Sequence, residues 1–361
     1  MLLVSELFKE LFQFNFTPVL ILIFLLVFLL TNSLSDKKLN RQFIITIGIV
    51  FALVVVDSVE YYLSTLSYPT YARIVTSILG YTLRPIIIMN VILLVHKFKP
   101  KNLFLYFIPC IFVFLITSTA LFSDITFSYT ESNEFVRGPL GLIPHIISLF
   151  YLVLTFYFSF TMYREKSILE NVLVIALISS ILFSMIIEMA FKIEGILNMS
   201  IVISIAFYYL HINVQAAKRD ILTGALNRQT FYHDSERIIK NLFAIISMDL
   251  NDLKHINDNF GHLSGDELII GFTNVVSDCL KSGSKLYRIG GDEFIVLVTK
   301  KLTMYEIEDM VNDIKKAIEQ NNYSCAIGIA YVDNLDEPFD SILKRADDLM
   351  YQDKEKKKRL D

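Results

Sequence analysis

The contrast between the two parts of this chain constrains its fold more than any single motif. Residues 1–210 contain seven windows of about 20 mostly apolar residues, the length that a helix needs to cross a bilayer. The windows lie at roughly 14–34, 43–62, 74–95, 103–122, 139–161, 168–191 and 195–214. Residues 211–361 have the composition of an ordinary soluble domain. We therefore expect an N-terminal all-α transmembrane helical bundle of about seven spans over residues 1–211 and a second domain after it.

The net charge also differs between the apolar N-terminal part and the C-terminal part of the chain. Residues 1–210 carry 13 Lys+Arg and 12 Asp+Glu, a net of +1, and residues 211–361 carry 20 and 25, a net of −5, which together give −4. Neither part has the basic excess of a nucleic-acid-binding protein, so we expect no nucleic acid partner. The cysteines Cys110, Cys279 and Cys325 have no paired spacing, so neither a disulfide framework nor a zinc site is implied.

The basic residues between the windows predict an orientation. They are concentrated in alternate connectors and at the exit from the last window, at Lys37, Lys38, Arg41, Lys97, Lys99, Lys101, Arg164, Lys166, Lys218 and Arg219. The intervening connectors are poorer in basic residues, and the one that contains Asp124, Glu131 and Glu134 is acidic. The positive-inside rule places the N-terminus outside and the C-terminal domain in the cytoplasm. The expected location is a multi-pass position in the cell membrane.

A few ionisable residues fall inside the apolar windows or directly at their ends. Those in the predicted outer half are Asp57, Glu60, Arg73, His145, Glu188 and Lys192, whereas Arg84 lies near the midplane. Side chains near the window ends can reach the interface, but a mid-span guanidinium needs a partner or a wet cavity. We therefore expect an outward-facing ligand pocket.

The soluble part divides into a short linker and one domain. Residues 212–219 contain no Gly or Pro and predict a helical linker, which either transmits a movement or is a plain tether. Over residues 220–361, hydrophobic periodicity predicts the order α-β-α-α-β-β-α-β-α, an α+β fold. Capping-box spacing marks two helix starts, at Ser264–Glu267 and at Thr303–Glu306.

The sequence Arg288-Ile-Gly-Gly-Asp-Glu-Phe294 contains the most informative motif of this domain. It lies between the apolar runs 285–289 and 294–298, so it predicts a β-hairpin whose turn carries Gly290 and Gly291. Glycines let a backbone approach a phosphorylated ligand, and adjacent carboxylates are the ligands that hard divalent cations prefer. A third acid, Asp249, follows the buried strand run 243–248.

These motifs, in this order and spacing, resemble the GGDEF family of diguanylate cyclases over about residues 215–361. The resemblance implies a ferredoxin-like sheet similar to the palm of nucleotidyl cyclases. It also implies the condensation of two GTP to cyclic di-GMP and two pyrophosphates by a homodimer. The matching catalytic residues are Asp249, Asp292 and Glu293. With the carbonyl of Leu250, these residues would bind two Mg²⁺ or Mn²⁺ per active site, and Asp292 would deprotonate the 3′-hydroxyl.

The resemblance also implies substrate-binding residues. The guanine would be read by Asn257 and Asp266 and contacted by Leu222, whereas Lys254 and Lys354 would lie near the phosphates. Lys358 stands where the family has an arginine, and Arg359 is the alternative residue for this role.

We expect a membrane-bound diguanylate cyclase that is regulated by an unknown signal sensed by the transmembrane region. One alternative is a degenerate domain that only binds GTP or cyclic di-GMP, but such members usually lose a hairpin acid or a base-reading residue, and all are present here. The other alternative is a transporter with a regulatory domain, for which broken helices or internal repeats would be the sign.

Overall fold

The computed structural model describes residues 15–31, 37–95, 103–161, 168–191, 195–334 and 336–358. The chain forms two compact units, Met1–Asn213 and Val214–Asp361. Each unit is considered by itself. The helices of the first unit are α1 (Phe16–Thr31), α2 (Lys37–Ser64), α3 (Tyr71–Val95), α4 (Leu103–Ser118), α5 (Ile143–Thr161), α6 (Ile168–Phe191) and α7 (Ile196–Ala217).

These helices coincide with the seven predicted apolar windows. Within the described residues, four apolar stretches are long enough to cross a membrane, Lys37–Ser64, Tyr71–Leu94, Phe104–Leu121 and Ile196–Ala217, and the other three apolar helices are shorter. The helical fold and several membrane-compatible helices are therefore confirmed, whereas the count of seven spans is not. Large apolar side chains such as Phe24 and Phe183 point outward and are 63% and 64% exposed, as they would be against lipid.

Aromatic packing holds part of this helical unit together. The rings of Phe43 on α2 and Tyr209 on α7 are fully buried, and their centroids lie 4.9 Å apart in an edge-to-face arrangement. Such pairs stabilise beyond the apolar area that they bury. Helix α7 continues past Asn213 to Ala217, so the predicted linker 212–219 is helical over most of its length.

The predicted acidic loop between α4 and α5 contains a small hairpin. Its strands are β1 (Phe127–Tyr129) and β2 (Phe135–Arg137), which pair antiparallel. Asn133 in the turn has a φ of 64° and donates from its side-chain amide to the carbonyls of Leu63 (2.9 Å) and Leu66 (2.8 Å). The same residue accepts a hydrogen bond from Arg73 at its Oδ1 atom, at 2.7 Å. These contacts fasten the hairpin to the adjoining ends of α2 and α3.

The second unit is an α+β domain. Its strands are β3 (Leu226–Asn227), β4 (Leu242–Leu250), β5 (Ser284–Arg288), β6 (Glu293–Thr299) and β7 (Cys325–Tyr331). Its helices are α8 (Arg228–Ile238), α9 (Leu253–Phe260), α10 (His262–Cys279), α11 (Met304–Gln320) and α12 (Phe339–Lys358). The five strands form one sheet in the order β3-β5-β6-β4-β7, in which only the β3–β5 pair is parallel. The predicted α+β order is confirmed as a mixed sheet with helices, and β3 is an additional short edge strand.

The alternation of side chains along β4 explains the two layers of helices. Ile246 and Met248 face the core formed with α10 and α11, whereas Ile245 faces the core that contains Phe231 and Ile342. Successive residues of a strand point to opposite faces, so a strand buried on both sides reads as a continuous apolar run. The next residues on the α12 face are polar, and they belong to the site described below.

One predicted helix start is right and the other is wrong. Thr303 and Glu306 form a complete capping box at the start of α11. By contrast, α10 begins at His262, and its N-cap is Gly261, which has no side chain that could accept a capping hydrogen bond. Gly261 has a φ of 86°, which lets α9 end and α10 begin within a single residue. Ser264 therefore lies inside the first turn, and its hydroxyl donates to the carbonyl of Phe260 at 3.1 Å.

Candidate functional site

The register of two central strands brings the three predicted catalytic acids to one end of the sheet. Asp249, near the end of β4, lies directly opposite Glu293, the first residue of β6. The backbone N–H of Leu250 donates to the carbonyl of Asp292 at 2.9 Å. Asp249 is 8% exposed, whereas Asp292 is half-buried and Glu293 is exposed. A solvent-accessible group of carboxylates therefore lies at the mouth of the hairpin, with a buried acid behind it.

The end of α12 supplies positive charge to the same place. The ammonium of Lys354 forms an ion pair with Asp249 at 2.5 Å, and Lys357 donates to the carbonyl of Cys325 at 2.7 Å. Lys357 also pairs with Asp353 at 2.9 Å. Burial raises the pKa of Asp353, but the hydrogen bonds from Lys357 and from the N–H of Ile327 outweigh burial and hold that pKa below its ordinary value.

The position of α12 follows from side-chain contacts with the sheet. The hydroxyl of Ser247 on β4 donates to Asp347 at 2.6 Å. A Cβ added to Gly328 on β7 would lie 2.2 Å from the backbone of α12, at Ala346 O and Met350 N. The close approach that glycine permits therefore lets the helix bring its terminal lysines over the strand ends.

Arg288 fixes the glycine turn. Its guanidinium donates to the carbonyl of Gly290 at 3.2 Å and to that of Gly291 at 2.9 Å. The same group forms an ion pair with Asp220 at 2.9 Å. A Cβ added to Gly290 would lie 2.7 Å from the carboxylate of Glu293, whereas one added to Gly291 would meet nothing within 4 Å. The turn is held by side-chain contacts and leaves open space beside Gly291.

The ion pair with Arg288 connects this turn to the start of the domain. Asp220 also accepts hydrogen bonds from the backbone N–H of Thr223 (2.9 Å) and from its hydroxyl (2.7 Å). Burial raises the pKa of Asp220, but these bonds and the guanidinium of Arg288 hold it below its ordinary value. Leu222, the predicted contact to the base, follows Asp220 in this segment. It is half-buried and packs against the core between the sheet, α10 and α11.

The predicted base-reading residues lie on two consecutive helices. Asn257 is on α9 and Asp266 is the fifth residue of α10, and both are half-buried. A Cβ added to Gly265 would lie 2.1 Å from the Oδ1 atom of Asn257, so the glycine allows the amide to lie against the residue next to Asp266. The structure therefore places the amide of Asn257 against the helix that carries Asp266.

Within the described residues, two of the predicted substrate-binding residues, Lys254 and Lys358, form no ion pair with the catalytic acids. Lys254 is exposed on α9. Lys358 is the last residue of α12 and pairs with Glu355 of its own helix at 3.7 Å. Arg359, the alternative to Lys358, lies outside the described residues.

Sequence reasoning gave no role to Asp220, Arg288 or Lys357. The signal for Arg288 was its position immediately before the Gly-Gly turn, where a long donor can reach two free carbonyls. The partners of Asp220 and Lys357 are distant in sequence, and no local pattern identifies them.

The donor atoms at the strand ends have the chemistry that divalent cations prefer. Asp249 and Glu293 face each other across paired strands, and Asp292 and Leu250 contribute further oxygens beside them. In the described part of the chain, however, no three His, Cys, Asp or Glu side chains are gathered into a ready metal cluster. The ammonium of Lys354 supplies the positive charge at Asp249. The prediction of metal binding therefore remains a prediction.

Comparison with known proteins gives this region a family. Residues 217–359 match the family model described as Diguanylate cyclase, GGDEF domain. Diguanylate cyclase DgcM of Escherichia coli (strain K12) is 30% identical over 150 residues, which cover 38% of this chain and 36% of DgcM. Diguanylate cyclase DgcS of Shewanella oneidensis is 27% identical over 159 residues, covering 41% of this chain and 53% of DgcS. Cyclic di-GMP phosphodiesterase PdeR of Escherichia coli (strain K12) is 30% identical over 151 residues, covering 38% of this chain and 23% of PdeR.

The chain thus spans between about a quarter and about half of the length of these relatives. Among solved structures, the coiled coil and GGDEF domain of DgcB from Caulobacter crescentus in complex with c-di-GMP aligns with a TM-score of 0.38 at 20% identity, over 41% of this chain and 86% of that chain. A microbial GGDEF domain solved with bis-(3,5)-cyclic di-GMP aligns with a TM-score of 0.35 at 28% identity, over 38% of this chain and 93% of that chain. On the match to the family model, the segment from residue 217 to residue 359 is a GGDEF domain.

Proposed function

We propose that this protein is a membrane-bound diguanylate cyclase, which condenses two GTP to cyclic di-GMP and two pyrophosphates under the control of a signal sensed by its helical unit. The observation that carries the proposal is the strand register that sets Asp249 opposite Glu293 and bonds Leu250 to Asp292 within a GGDEF domain. The names of DgcM and DgcS as diguanylate cyclases support the same activity.

The reaction needs one proton acceptor and one neutralised leaving group. The 3′-oxygen of one GTP attacks the α-phosphorus of the other, its proton passes to Asp292, and pyrophosphate leaves with the bonding electron pair. A second step of the same kind, in which the 3′-oxygen of the other nucleotide attacks the remaining α-phosphorus and a second pyrophosphate leaves, closes the ring. Because phosphoryl transfer depends mostly on positioning and on charge neutralisation, an acid at the turn and ammonium groups nearby are the groups that it requires. Arg288 acts as a positioning residue, since it holds the turn that carries Asp292.

Two Mg²⁺ or Mn²⁺ per active site would be held by the carboxylates of Asp249, Asp292 and Glu293 and the carbonyl of Leu250. When bound, such ions neutralise the charge that develops on the phosphate oxygens. Lys354 forms an ion pair with Asp249 and offsets its charge. Near the bound triphosphate we assign Lys254, Lys354 and Lys358, with Arg359 as the alternative to Lys358.

Guanine recognition is assigned to Asn257 and Asp266, with Leu222 against the base. A carboxylate accepts from the N1–H and the exocyclic amine of guanine, whereas an amide donates to its O6 or N3 atom. The closeness of the Asn257 amide to Gly265 supports this assignment, because Gly265 directly precedes Asp266 in α10. Two GTP molecules must face each other for two bonds to form, so the active species is a homodimer in which each domain holds one GTP.

The membrane arrangement belongs to the same proposal. We assign domains to residues 1–211 and 220–361 with a helical linker at 212–219, and we infer seven spans, the N-terminus outside and the GGDEF domain in the cytoplasm. The seven apolar helices support the span number, although three of them are short. The basic start of α2, at Lys37 and Lys38, and the acidic segment before α5 support the orientation.

Product identification tests the proposed activity. The purified full chain in lipid nanodiscs is incubated with GTP and Mg²⁺, and the nucleotides are separated and identified by mass. We expect cyclic di-GMP and two pyrophosphates for each molecule formed. GTP that binds at micromolar concentration but remains unchanged would show instead that the domain is a nucleotide-binding platform.

A further inference from the structure

The helical unit encloses a cavity whose lining is divided into a polar end and an apolar end. The cavity has a volume of about 380 Å³, which is within the range of small-molecule sites. Its ionisable lining residues on the helices are Asp57, Glu60, Arg73, Arg84, His145 and Glu188. These residues lie toward the C-terminal parts of α2 and α6, between the start and the middle of α3, and in the N-terminal part of α5. Because consecutive helices alternate in direction, these positions belong to the same end of the bundle.

The apolar end of the cavity is lined by the other halves of the same helices. Ile88 and Leu94 of α3, Leu152 of α5, Val174 and Ile178 of α6 belong to it. The apolar lining of α3 extends over seven residues from Ile88 to Leu94, a rise of about 9 Å along the helix axis. A medium-length alkyl chain fits a space of this length and character.

The polar end is a built arrangement of paired groups. Arg84 forms an ion pair with Asp57 at 2.9 Å, and Asp57 also accepts a hydrogen bond from the amide of Asn198 at 2.9 Å. A Cβ added to Gly80 would lie 3.1 Å from both members of the ion pair, so glycine makes room for it. Glu188 accepts a hydrogen bond from the backbone N–H of Leu197 at 3.1 Å. The mid-span arginine thus has the partner and the cavity that its position demands.

The hairpin β1–β2 covers this end. Tyr129, Phe135 and Arg137 of the hairpin line the cavity. Arg73 holds the hairpin in place, since its guanidinium lies 4.1 Å from the centre of the Tyr129 ring and pairs with Glu60 at 3.1 Å. The polar end is therefore covered by a hairpin that Arg73 and Glu60 hold in place.

The lining charges cancel. The described lining contains three arginines, Arg73, Arg84 and Arg137, and three acids, Asp57, Glu60 and Glu188, so its formal charge is 3 − 3 = 0 when His145 is neutral. A ligand with a net charge would leave an uncompensated charge in a medium of low dielectric constant, which is unfavourable. The lining therefore selects against anions and cations alike.

One polar atom in the cavity is available to a ligand. The Nε2 atom of His145 is buried and has no hydrogen-bond partner within the residues that the structure describes. Its ring meets that of Tyr81 edge to face, with centroids 5.7 Å apart. A buried polar atom without a partner costs free energy, which a bound hydroxyl or amide group would recover.

We propose that this cavity binds a net-neutral amphiphile, with a hydrogen-bonding head group at His145 and an alkyl chain between α3, α5 and α6. The proposal builds on the proposed function, in which a signal acts on the helical unit, and it names the chemical class of that signal. The division of the lining into a polar end and an apolar end indicates an amphiphilic ligand. The zero formal charge of the lining indicates a neutral one, and the Nε2 atom of His145 offers a hydrogen bond to its head group.

Photolabelling with a diazirine derivative of octanol tests the proposal on the full chain in nanodiscs. Octanol carries one hydroxyl on an eight-carbon chain, and the label is located by peptide mass spectrometry. We expect labelling of the cavity segments of α3, α5 and α6 that is saturable by unlabelled octanol. Labelling that does not saturate, or that falls only on outward-facing residues such as Phe183, would overturn the proposal.

Two matched tryptophan variants separate the cavity from the lipid. Ile178→Trp fills the apolar end, where Ile178 is 6% exposed, and should reduce the saturable labelling at least tenfold. Ile186→Trp places the same side chain on the outer surface of the same helix, where Ile186 is 57% exposed, and should leave the labelling unchanged. Equal labelling in the two variants, with both proteins eluting as folded species, would contradict the assignment.

Competition by charged analogues tests neutrality and does not depend on the folding of a tryptophan variant. In the unmodified protein, octanol should displace the label at lower concentration than octanoate or octylamine does. Glu188→Gln retains an acceptor for Leu197 but gives the lining a net positive charge, so octanoate should become severalfold more effective. An unmodified protein that prefers octanoate or octylamine would refute the neutral class. Absence of cyclic di-GMP formation would overturn the proposed function and leave these binding results standing.

Discussion

Replacement of Arg288 by methionine should destabilise the GGDEF domain by about 2 kcal/mol, because a hydrogen bond to a charged group contributes about 1.5–3 kcal/mol. The pair that is lost is well shielded, since the Arg288 side chain is 13% exposed and that of Asp220 is 26% exposed. The loss is not larger, because Asp220 retains two hydrogen bonds from Thr223, and the glycine carbonyls at the turn can be hydrated. Methionine keeps an unbranched apolar stem similar to that of arginine and removes the charged guanidinium.

Urea unfolding of residues 214–361, which form a compact unit, measures this loss. Arg237→Met, on the exposed side of α8, is the matched control and should change the free energy of unfolding by less than about 0.5 kcal/mol. A double-mutant cycle with Asp220→Asn should give a coupling of about 1 kcal/mol for the ion pair. A loss at Arg288 no larger than that of the control would refute the positioning role.

The pH dependence of this loss has a defined sign. The folded pKa of Asp220 lies below its ordinary value, so its ionisation stabilises the fold above the unfolded pKa of about 3.9 and ceases to do so as pH falls through the folded pKa. The deficit of Arg288→Met should therefore be constant from about pH 7 to about pH 5 and shrink below about pH 4. A deficit that grows in acid would contradict the ion-pair account.

Three further predictions concern regulation, assembly and topology. The resemblance to the GGDEF family implies an inhibitory Arg-x-x-Asp site before the turn, but Lys281 and Ser284 stand at the matching positions here. Lys281 pairs with Asp309, and Ser284 donates to the carbonyl of Lys281. Initial rates should therefore show little inhibition by cyclic di-GMP, and half-inhibition at or below about 1 μM, equivalent to about −8 kcal/mol, would contradict this. The specific activity of residues 214–361 should rise with protein concentration, because two domains must meet, and a flat profile without a stable dimer would argue against a dimeric site. A reporter fused after residue 130 should be extracellular and one fused after Lys218 cytoplasmic, whereas a cytoplasmic signal at residue 130 would reverse the orientation.

Local patterns were sufficient for much of the fold. The apolar windows predicted seven helices, and the alternation around Gly290 and Gly291 predicted the β5–β6 hairpin to within one residue at each end. The buried strand run before Asp249 was also recognisable, because a strand covered on both faces reads as a continuous apolar segment. The capping box predicted at Ser264 was wrong, because the tight junction at Gly261 places the N-cap of the helix three residues earlier.

What the sequence did not reveal depends on contacts between distant residues. The pairing of Asp220 with Arg288 spans 68 residues and that of Lys354 with Asp249 spans 105 residues. Neither follows from periodicity or spacing. In the helical unit, the polar residues within apolar windows indicated a pocket, but the partner of Arg84 and the neutral sum of the lining charges required the packing of α2 against α3.

Turnover by an acid-turn variant tests the central claim most directly. Asp292→Asn keeps the shape of the side chain but removes the proton acceptor and one negative charge from the turn. We expect the purified full chain with this change to lose at least 90% of its cyclic di-GMP formation in Mg²⁺, a loss of at least about 1.4 kcal/mol in transition-state stabilisation. The matched control, Asp313→Asn on the exposed side of α11, should retain full activity. If Asp292→Asn keeps more than a tenth of the unmodified rate while folded, the account of the active site is contradicted.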